Sequence, residues 1–264
     1  MIIAVVVANH AEQMQLLIAL LLAGSIGLLA FILNLLTLDG AHAAVVVGTI
    51  TFGLGGETAA IILVIFFLTG SWLSKLNHLW LEKHKHPWED TRRNGLQVWA
   101  NAFWFCVFLV IWFATRQQMW YVIGVASLAV ANADTWATEI GTLTDRFRTL
   151  LITNFKPVPA GVNGGVSVNG TLASLLGSIL IAAVYGGIAG RVDTLDFLII
   201  SICGVLGCIA DSYFGALIQT DELDVFIPGF TYEKLVIGNN AVNWMATGVG
   251  AVIAFLIYSA LQAL

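Results

Sequence analysis

Charge is scarce in this chain. Lysine, arginine, aspartate and glutamate make up 10% of its 264 residues, against 59% hydrophobic ones, and the mean hydropathy is +0.89. An ordinary soluble domain carries about 25% charged residues, so a soluble fold is excluded. An all-α, polytopic transmembrane helical bundle of seven to eight helices is predicted instead. Basic tracts are absent and the net charge is −5, so no nucleic-acid partner is expected. Cysteine is nearly absent as well. Cys106, Cys203 and Cys208 all lie in apolar runs, which reads as small core residues and not as a disulfide framework. The start, Met1–Val7, lacks the basic residues of a signal peptide and reads as the lead-in to a first span.

What is there is a series of long apolar runs. They fall at about Met14–Leu38, Ala41–Gly70, Leu96–Thr115, Met119–Gly141, Gly170–Gly190, Thr194–Thr220 and Asn240–Leu264. The second is interrupted by Gly53-Leu54-Gly55-Gly56-Glu57. Its length suits a broken or strongly tilted helix better than two complete passes. The chain is read as a single integral membrane domain over 1–264, with loops at about 71–95, 142–169 and 221–239. Those three loops hold Lys75, Lys83, Lys85, Arg92, Arg93, Arg146, Arg148, Lys156 and Lys234. The opposite turns hold only Arg116 and Arg191. The positive-inside rule therefore places the long loops in the cytoplasm, with the C-terminus outside. The N-terminus falls inside if 41–70 crosses once.

Among the acids inside the apolar runs, Asp134 in the fourth and Asp211 in the sixth stand out. Hydrocarbon penalises an ionisable group by several kcal/mol, on the order of 3 at a helix centre, so such a residue normally has a task and a partner. Both lie at the loop-rich end of their spans. Glu139 is five residues beyond Asp134, about 140° around a helix, so the two cannot face one ion. Asn132, Thr135 and Glu139 share one stripe, and Asp134 shares another with Thr138. Asp134 is expected to face Asp211 across a divalent cation, since Mg²⁺ takes one or two carboxylates plus phosphate oxygens. Glu139 would reach a second cation or orient a neighbour. The bland alternative is that the acids pair with arginines and hold helices together.

Arg93, Gln97 and Asn101 recur at i, i+4 and i+8, as a polar stripe facing the bundle would. Arg92 and Arg93 suit phosphate, or snorkel to lipid headgroups. The loop from Lys156 to Thr171 carries Gly161, Asn163, Gly164, Gly165, Ser167 and Gly170 and opens onto a helix near Thr171. Glycines that bring backbone N–H groups near a helix N-terminus make an anion cradle, although the Walker ending is missing. Alone, the loop reads equally as a surface turn. Gly204, Gly207 and Gly215 flank Asp211 at helical spacing and allow close packing. Asn240 and Asn243 open the last span and either bind a nucleotide or cap the helix.

Five motifs in order resemble a known family. They are Gln97-Val98-x-x-Asn101, Asp134-Thr135-x-Ala137-x-Glu139-x-Gly141, Gly161-x-Asn163-Gly164-Gly165-Val166-Ser167-x-x-Gly170-Thr171, Asp211-Ser212-x-x-Gly215-Ala216-x-x-Gln219 and Asn240-x-Val242-Asn243. Over about residues 12–264 the chain resembles the phytyl-phosphate kinases of the vitamin E pathway, and more distantly phytol and dolichol kinases and CDP-diacylglycerol synthases. The resemblance implies a membrane transferase that faces the cytoplasm and phosphorylates an isoprenyl monophosphate, such as phytyl or geranylgeranyl phosphate, to the diphosphate. It implies CTP or another nucleoside triphosphate as donor, with Mg²⁺. Asp134 and Asp211 then stand as metal ligands, with Glu139 and Arg93 beside them as catalytic groups. The loop becomes the phosphate cradle, with Arg92, Arg93 and Lys156 neutralising charge. Gln97, Asn101, Asn132, Thr135, Ser212, Gln219, Asn240 and Asn243 complete the nucleotide site. A cytidylyltransferase acting on a lipid phosphate would use nearly the same residues. An ion-coupled transporter would need polar residues in the far halves of the spans. Phe103–Ala114 and Leu175–Val184 offer almost none.

Overall fold

The computed structural model describes residues 10–81, 92–144, 148–188, 190, 193–225 and 233–262. Lys83, Lys85, Arg146 and Arg191 lie outside them. Among the described residues seven helices follow one another: α1 His10–Ile32, α2 Leu38–Leu81, α3 Gly95–Thr115, α4 Gln118–Thr144, α5 Val168–Ile188, α6 Thr194–Leu217 and α7 Asn239–Gln262. Two short antiparallel pairs lie in the loops: β1 Leu150–Leu151 with β2 Gly165–Val166, and β3 Thr220–Val225 with β4 Glu233–Ile237. The fold is the polytopic helical bundle expected from the apolar runs. Six of the helices, all but α4, are long and apolar enough to cross a membrane.

The second run is broken at its glycine interruption, as expected, but it also reverses there. It is 44 residues long and broken at Gly56, where φ is 73° and ψ −167°. A straight helix would separate Thr37 and Gly70 by about 50 Å. Yet the Thr37 amide donates to the Arg93 carbonyl at 3.1 Å, and a Cβ on Gly70 would run into Arg93 Nη2. Ala44 and Phe67 also share one cluster, and Val47 and Leu63 another. The two halves of α2 therefore double back on each other. Only glycine takes this backbone turn at little steric cost, and the Tyr121 hydroxyl ties the turn down by donating to the Gly55 carbonyl at 3.0 Å. The halves, 38–55 and 57–81, reach about 27 and 37 Å. The reversal replaces a single tilted helix, and the helix runs past the expected loop boundary at 71. The apolar run ends at Gly70, but the helix continues through an amphipathic turn to Leu81. With the run doubled back, the single-crossing condition on which the N-terminus was placed inside is not met. His10 lies at the same end of the bundle as Gln262.

α4 is the axis. It packs against α2, α3, α5, α6 and α7, and every residue from Tyr121 to Ala133 is buried. Small residues allow this. A Cβ on Gly204 would come within 2.5 Å of Ser178 Cβ, and one on Gly207 within 2.7 Å of Val130 Cγ1. Gly141 and Gly170 likewise meet where α4 passes the start of α5. The glycines around Asp211 are thus a packing face that draws α6 onto α4 and α5.

Candidate active site at the loop end of the bundle

Asp134 and Asp211 meet. Their side chains are in hydrogen-bonding contact between α4 and α6. Two carboxyl groups hold that geometry only with a shared proton or a cation between them. Asp211 is 9% exposed. The Asn243 amide, turned so that its neighbours are satisfied, donates to Asp211 Oδ2 at 3.1 Å and to the Asn239 carbonyl at 3.2 Å. The Asn243 side chain also touches that of Asn101, and the Trp104 indole, donating to the Trp244 carbonyl at 2.9 Å, links α3 to α7.

The two acids line a cavity of about 210 Å³. Its walls come from the α4 end (Thr138, Gly141), the glycine loop (Gly161, Asn163, Gly164, Gly165, Ser167) and the first turns of α5 (Gly170, Thr171, Ser174). The α6 end closes it with Cys208, Ser212, Gly215 and Gln219, and Asn239 adds the start of α7. Thus Asp134, Asp211, Asn163, Gly164, Gly165, Ser167, Ser212 and Gln219, chosen from the sequence, share one chamber. The N-terminus of α5 opens into it, a position where partial positive charge favours an anion.

The loop that forms one wall is seated, not loose. Residues 149–152 pair on one side with 156–158 and on the other with 164–166. Gly164 has φ +75°, and a Cβ there would lie 2.8 Å from Ala216 Cα and 2.9 Å from Ala216 N. Only glycine lets this loop lie flat on α6. The Gly165 amide donates to the Val162 carbonyl at 2.9 Å, so it closes the turn. Ser167 caps α5, its Oγ accepting from the Gly170 amide at 3.1 Å. The helix begins at Val168, three residues before the expected start.

Other chosen residues have structural work. Asn132 is fully buried and donates to the Gly177 carbonyl at 2.7 Å, joining α4 to α5. Gln97 forms a capping box with Asn94, accepting from its amide at 2.9 Å and donating its own amide to Asn94 Oδ1 at 3.0 Å. Because α3 begins at Gly95, Arg93 lies outside the helix and the i, i+4, i+8 stripe does not exist as such. Glu139 faces α2 and not the acid pair. It accepts from Ser74 Oγ at 2.5 Å and Asn77 Nδ2 at 2.6 Å. The same Asn77 amide donates to Thr142 at 2.8 Å, and Thr142 lines the cavity. Thr135 lies near Gly70. Lys156 is exposed; it, Arg92 and Asn240 are outside the cavity lining.

Arg93 sits behind this site. Its guanidinium lies 5.2 Å from the Phe66 ring centre and 5.9 Å from that of Phe67. Burial brings it down to about 10, opposed by the Glu139 carboxylate, so it stays cationic at neutral pH. Ser174, Cys208 and Thr149 of the chamber, and Ser74 and Asn77 behind it, were not singled out from the sequence. Ser174 and Ser178 stand one turn apart in an otherwise apolar helix. Ser71, Ser74, Asn77 and His78 recur at helical spacing. Both signals are legible once those stretches are read as helix.

A helical membrane bundle with paired acids in a polar chamber at one end is the class this defines. The chain belongs to the integral membrane protein family DUF92, whose model matches residues 3–251. It is 31% identical over 229 residues to the uncharacterized membrane protein MJ0933 of Methanocaldococcus jannaschii, covering 84% of this chain and 86% of that one. It is 30% identical to the protein PGR of Arabidopsis thaliana over 277 residues, 89% and 93% of the two chains. It is 27% identical to the chloroplastic protein VTE6 of the same plant over 227 residues, 84% and 65% of the two chains. No solved structure matches.

Proposed function

We propose that this protein transfers the γ-phosphoryl group of a nucleoside triphosphate, CTP by resemblance, to an isoprenyl monophosphate, with the chamber facing the cytoplasm. The observation that carries this is the meeting of Asp134 and Asp211, from separate helices, in a polar chamber walled by a glycine loop and a helix N-terminus. The resemblance of the five motifs to those of phytyl-phosphate kinases supports an isoprenyl monophosphate as the substrate class.

Among the described residues no three His, Cys, Asp or Glu side chains gather in a metal-binding group. Two carboxylates with nearby hydroxyls nonetheless suit Mg²⁺, which keeps several waters and takes phosphate oxygens as further ligands. Asp134 and Asp211 would hold the ion, and it supplies neutralisation of phosphate charge when bound. The protein's own groups do the rest. The α5 N-terminus and loop amides receive phosphate oxygens, and Asn243 orients Asp211. The lipid phosphate oxygen is already anionic and needs no strong base. It forms a bond to the γ-phosphorus as the bridging bond to the β-phosphate breaks, and a nucleoside diphosphate leaves. Positioning and electrostatic stabilisation carry such a reaction.

Purified Asp134→Asn and Asp211→Asn proteins are expected to lose at least about 100-fold in transfer, the scale of removing one preorganised electrostatic contact. Wild-type transfer retained by either variant would remove the proposal. CTP labelled separately at the α- and γ-phosphate separates the chemistries, because only the kinase moves the γ label onto lipid. Val122, Val125, Ile181 and Ile200 are fully buried in the bundle beyond the acids, and the buried Ser127 and Ser178 there donate to carbonyls of their own helices at 2.7 and 2.6 Å, which favours transfer over an ion path.

A further inference from the structure

A second cavity, of about 350 Å³, lies between α1, the two halves of α2 and the start of α3. Its walls are almost wholly apolar: Leu22 and Ile26 on α1, Ala44 and Val47 on the first half of α2, and Val64 and Phe67 on the second. The reversal at Gly56 creates it, because two helix halves that double back leave a furrow that α1 roofs only in part. Arg93 and Asn101 also line it, and so does Glu57 beside the reversal. Arg93 and Asn101 belong to the chamber end, since Arg93 is bonded to residues 35 and 37 and Asn101 reaches Asn243. Glu57 marks the opposite end, beyond about 27 Å of helix.

This furrow has the form of a site for one hydrocarbon chain with an anionic head. Apolar walls match the chain. The cation stands at the end nearest the acid pair, while the Glu139 oxygens that act on Arg93 are already bonded to Ser74 and Asn77. Asn101, Asn243 and Asp211 then run in contact from the furrow to the chamber. The volume is at the lower end of the ~300–1,000 Å³ usual for small-molecule sites, which suits a single chain and not a two-chain phospholipid. We infer that the furrow between α1 and the folded-back α2 binds the hydrocarbon chain of a single-chain lipid monophosphate, with Arg93 and Asn101 receiving its head group on the way to Asp211. The inference rests on the transfer reading for the identity of the lipid, but its location stands on the furrow itself.

The test is photolabelling. An isoprenyl monophosphate carrying a mid-chain diazirine is placed in phosphatidylcholine nanodiscs with the full-length protein, and cross-linked peptides are read by mass spectrometry. Labelling is expected on α1 and on both halves of α2. Excess unlabelled monophosphate should suppress it tenfold or more, and the parent alcohol should not. Ala44→Trp and Ala60→Trp, which fill the furrow from opposite walls, should each lower it at least tenfold, as should Arg93→Gln; one folded variant of the two fillings suffices. Labels on the outer faces of α5–α7 would overturn the inference. So would equal competition by the alcohol, or by phosphatidylcholine, which would mark an ordinary crevice filled by bilayer lipid. Diphosphate formation is measured on the same discs. Labelling as expected without transfer removes the proposed reaction and leaves the furrow site, and transfer with labelling elsewhere does the reverse.

Discussion

Replacing Gly164 by alanine should damage the chamber far more than replacing Gly161, although both glycines have positive φ and lie in one loop. Gly161 has φ +86° with nothing within 4 Å of an added Cβ. Its alanine variant meets only the left-handed backbone penalty, about 1–2 kcal/mol, and an exposed turn in open space can relax it. Gly164 has φ +75° and a helix backbone directly against it, with Ala216 Cα at 2.8 Å and N at 2.9 Å from the added carbon. A packed helix backbone does not yield as a side-chain tip does. Overpacking of this kind costs about 1–3 kcal/mol, so Gly164→Ala carries about 2–5 kcal/mol in all. The loop relieves that strain most easily by lifting from α6, and the chamber then loses a wall. Since ~1.4 kcal/mol is tenfold in rate, transfer should fall at least tenfold in Gly164→Ala and no more than about threefold in Gly161→Ala. Initial rates of diphosphate formation, with thermal unfolding in the same detergent, decide it. Equal rates in the two variants would refute the claim that seating this loop on α6 shapes the site.

Three further outcomes separate scaffold from site. Asn132→Ala removes the bond to Gly177 and should lower thermal stability by about 0.6–2 kcal/mol, the range for interhelical hydrogen bonds in membranes, with the nucleotide KM unchanged. Gln97→Ala removes half of a capping box, so unfolding should shift by about 1 kcal/mol with kcat retained; a selective loss of nucleotide affinity would restore Gln97 to the binding site. Glu139→Gln turns one acceptor oxygen into a donor facing Ser74 or Asn77 and should destabilise by about 1–3 kcal/mol, read as a lower unfolding midpoint. A rate loss without a stability loss would mean that Glu139 acts in the chemistry itself.

Much of the chamber was legible because hydrocarbon leaves so few polar residues to choose among. Asp134 and Asp211 stood out among the few acids inside the runs, and the glycine-asparagine loop stood out by its spacing. Residue type could not separate ligand binding from scaffold. An amide that binds a nucleotide and an amide that locks two helices look alike in sequence, so nothing there marks Asn132 as the bond to Gly177 or Gln97 as half of a capping box. The reversal in α2 was hidden for a different reason. Gly53-Leu54-Gly55-Gly56 announces a break, but its direction is set by one φ/ψ pair and by Tyr121, 65 residues beyond Gly56. Reading 71–81 as loop then concealed Ser74 and Asn77, and with them the partners of Glu139.

The reversal and the chamber are connected through α4. This helix carries Asn132, Asp134 and Glu139 and is the one not apolar enough to cross a membrane by composition. It is tolerated because neighbours surround it, and the second half of α2 is one of them, meeting it through Thr69, Ser74 and Asn77. Were α2 a single straight pass, that flank of α4 would face lipid with a carboxylate on it, at a cost of several kcal/mol, on the order of 3. The glycine turn at 56 therefore does two things with one backbone conformation. It shields the polar end of the central helix, and it opens the apolar furrow on its other side. A donor carried by water and an acceptor carried by the bilayer can react only where such compartments adjoin, and here Asn101 and Asn243 stand between them.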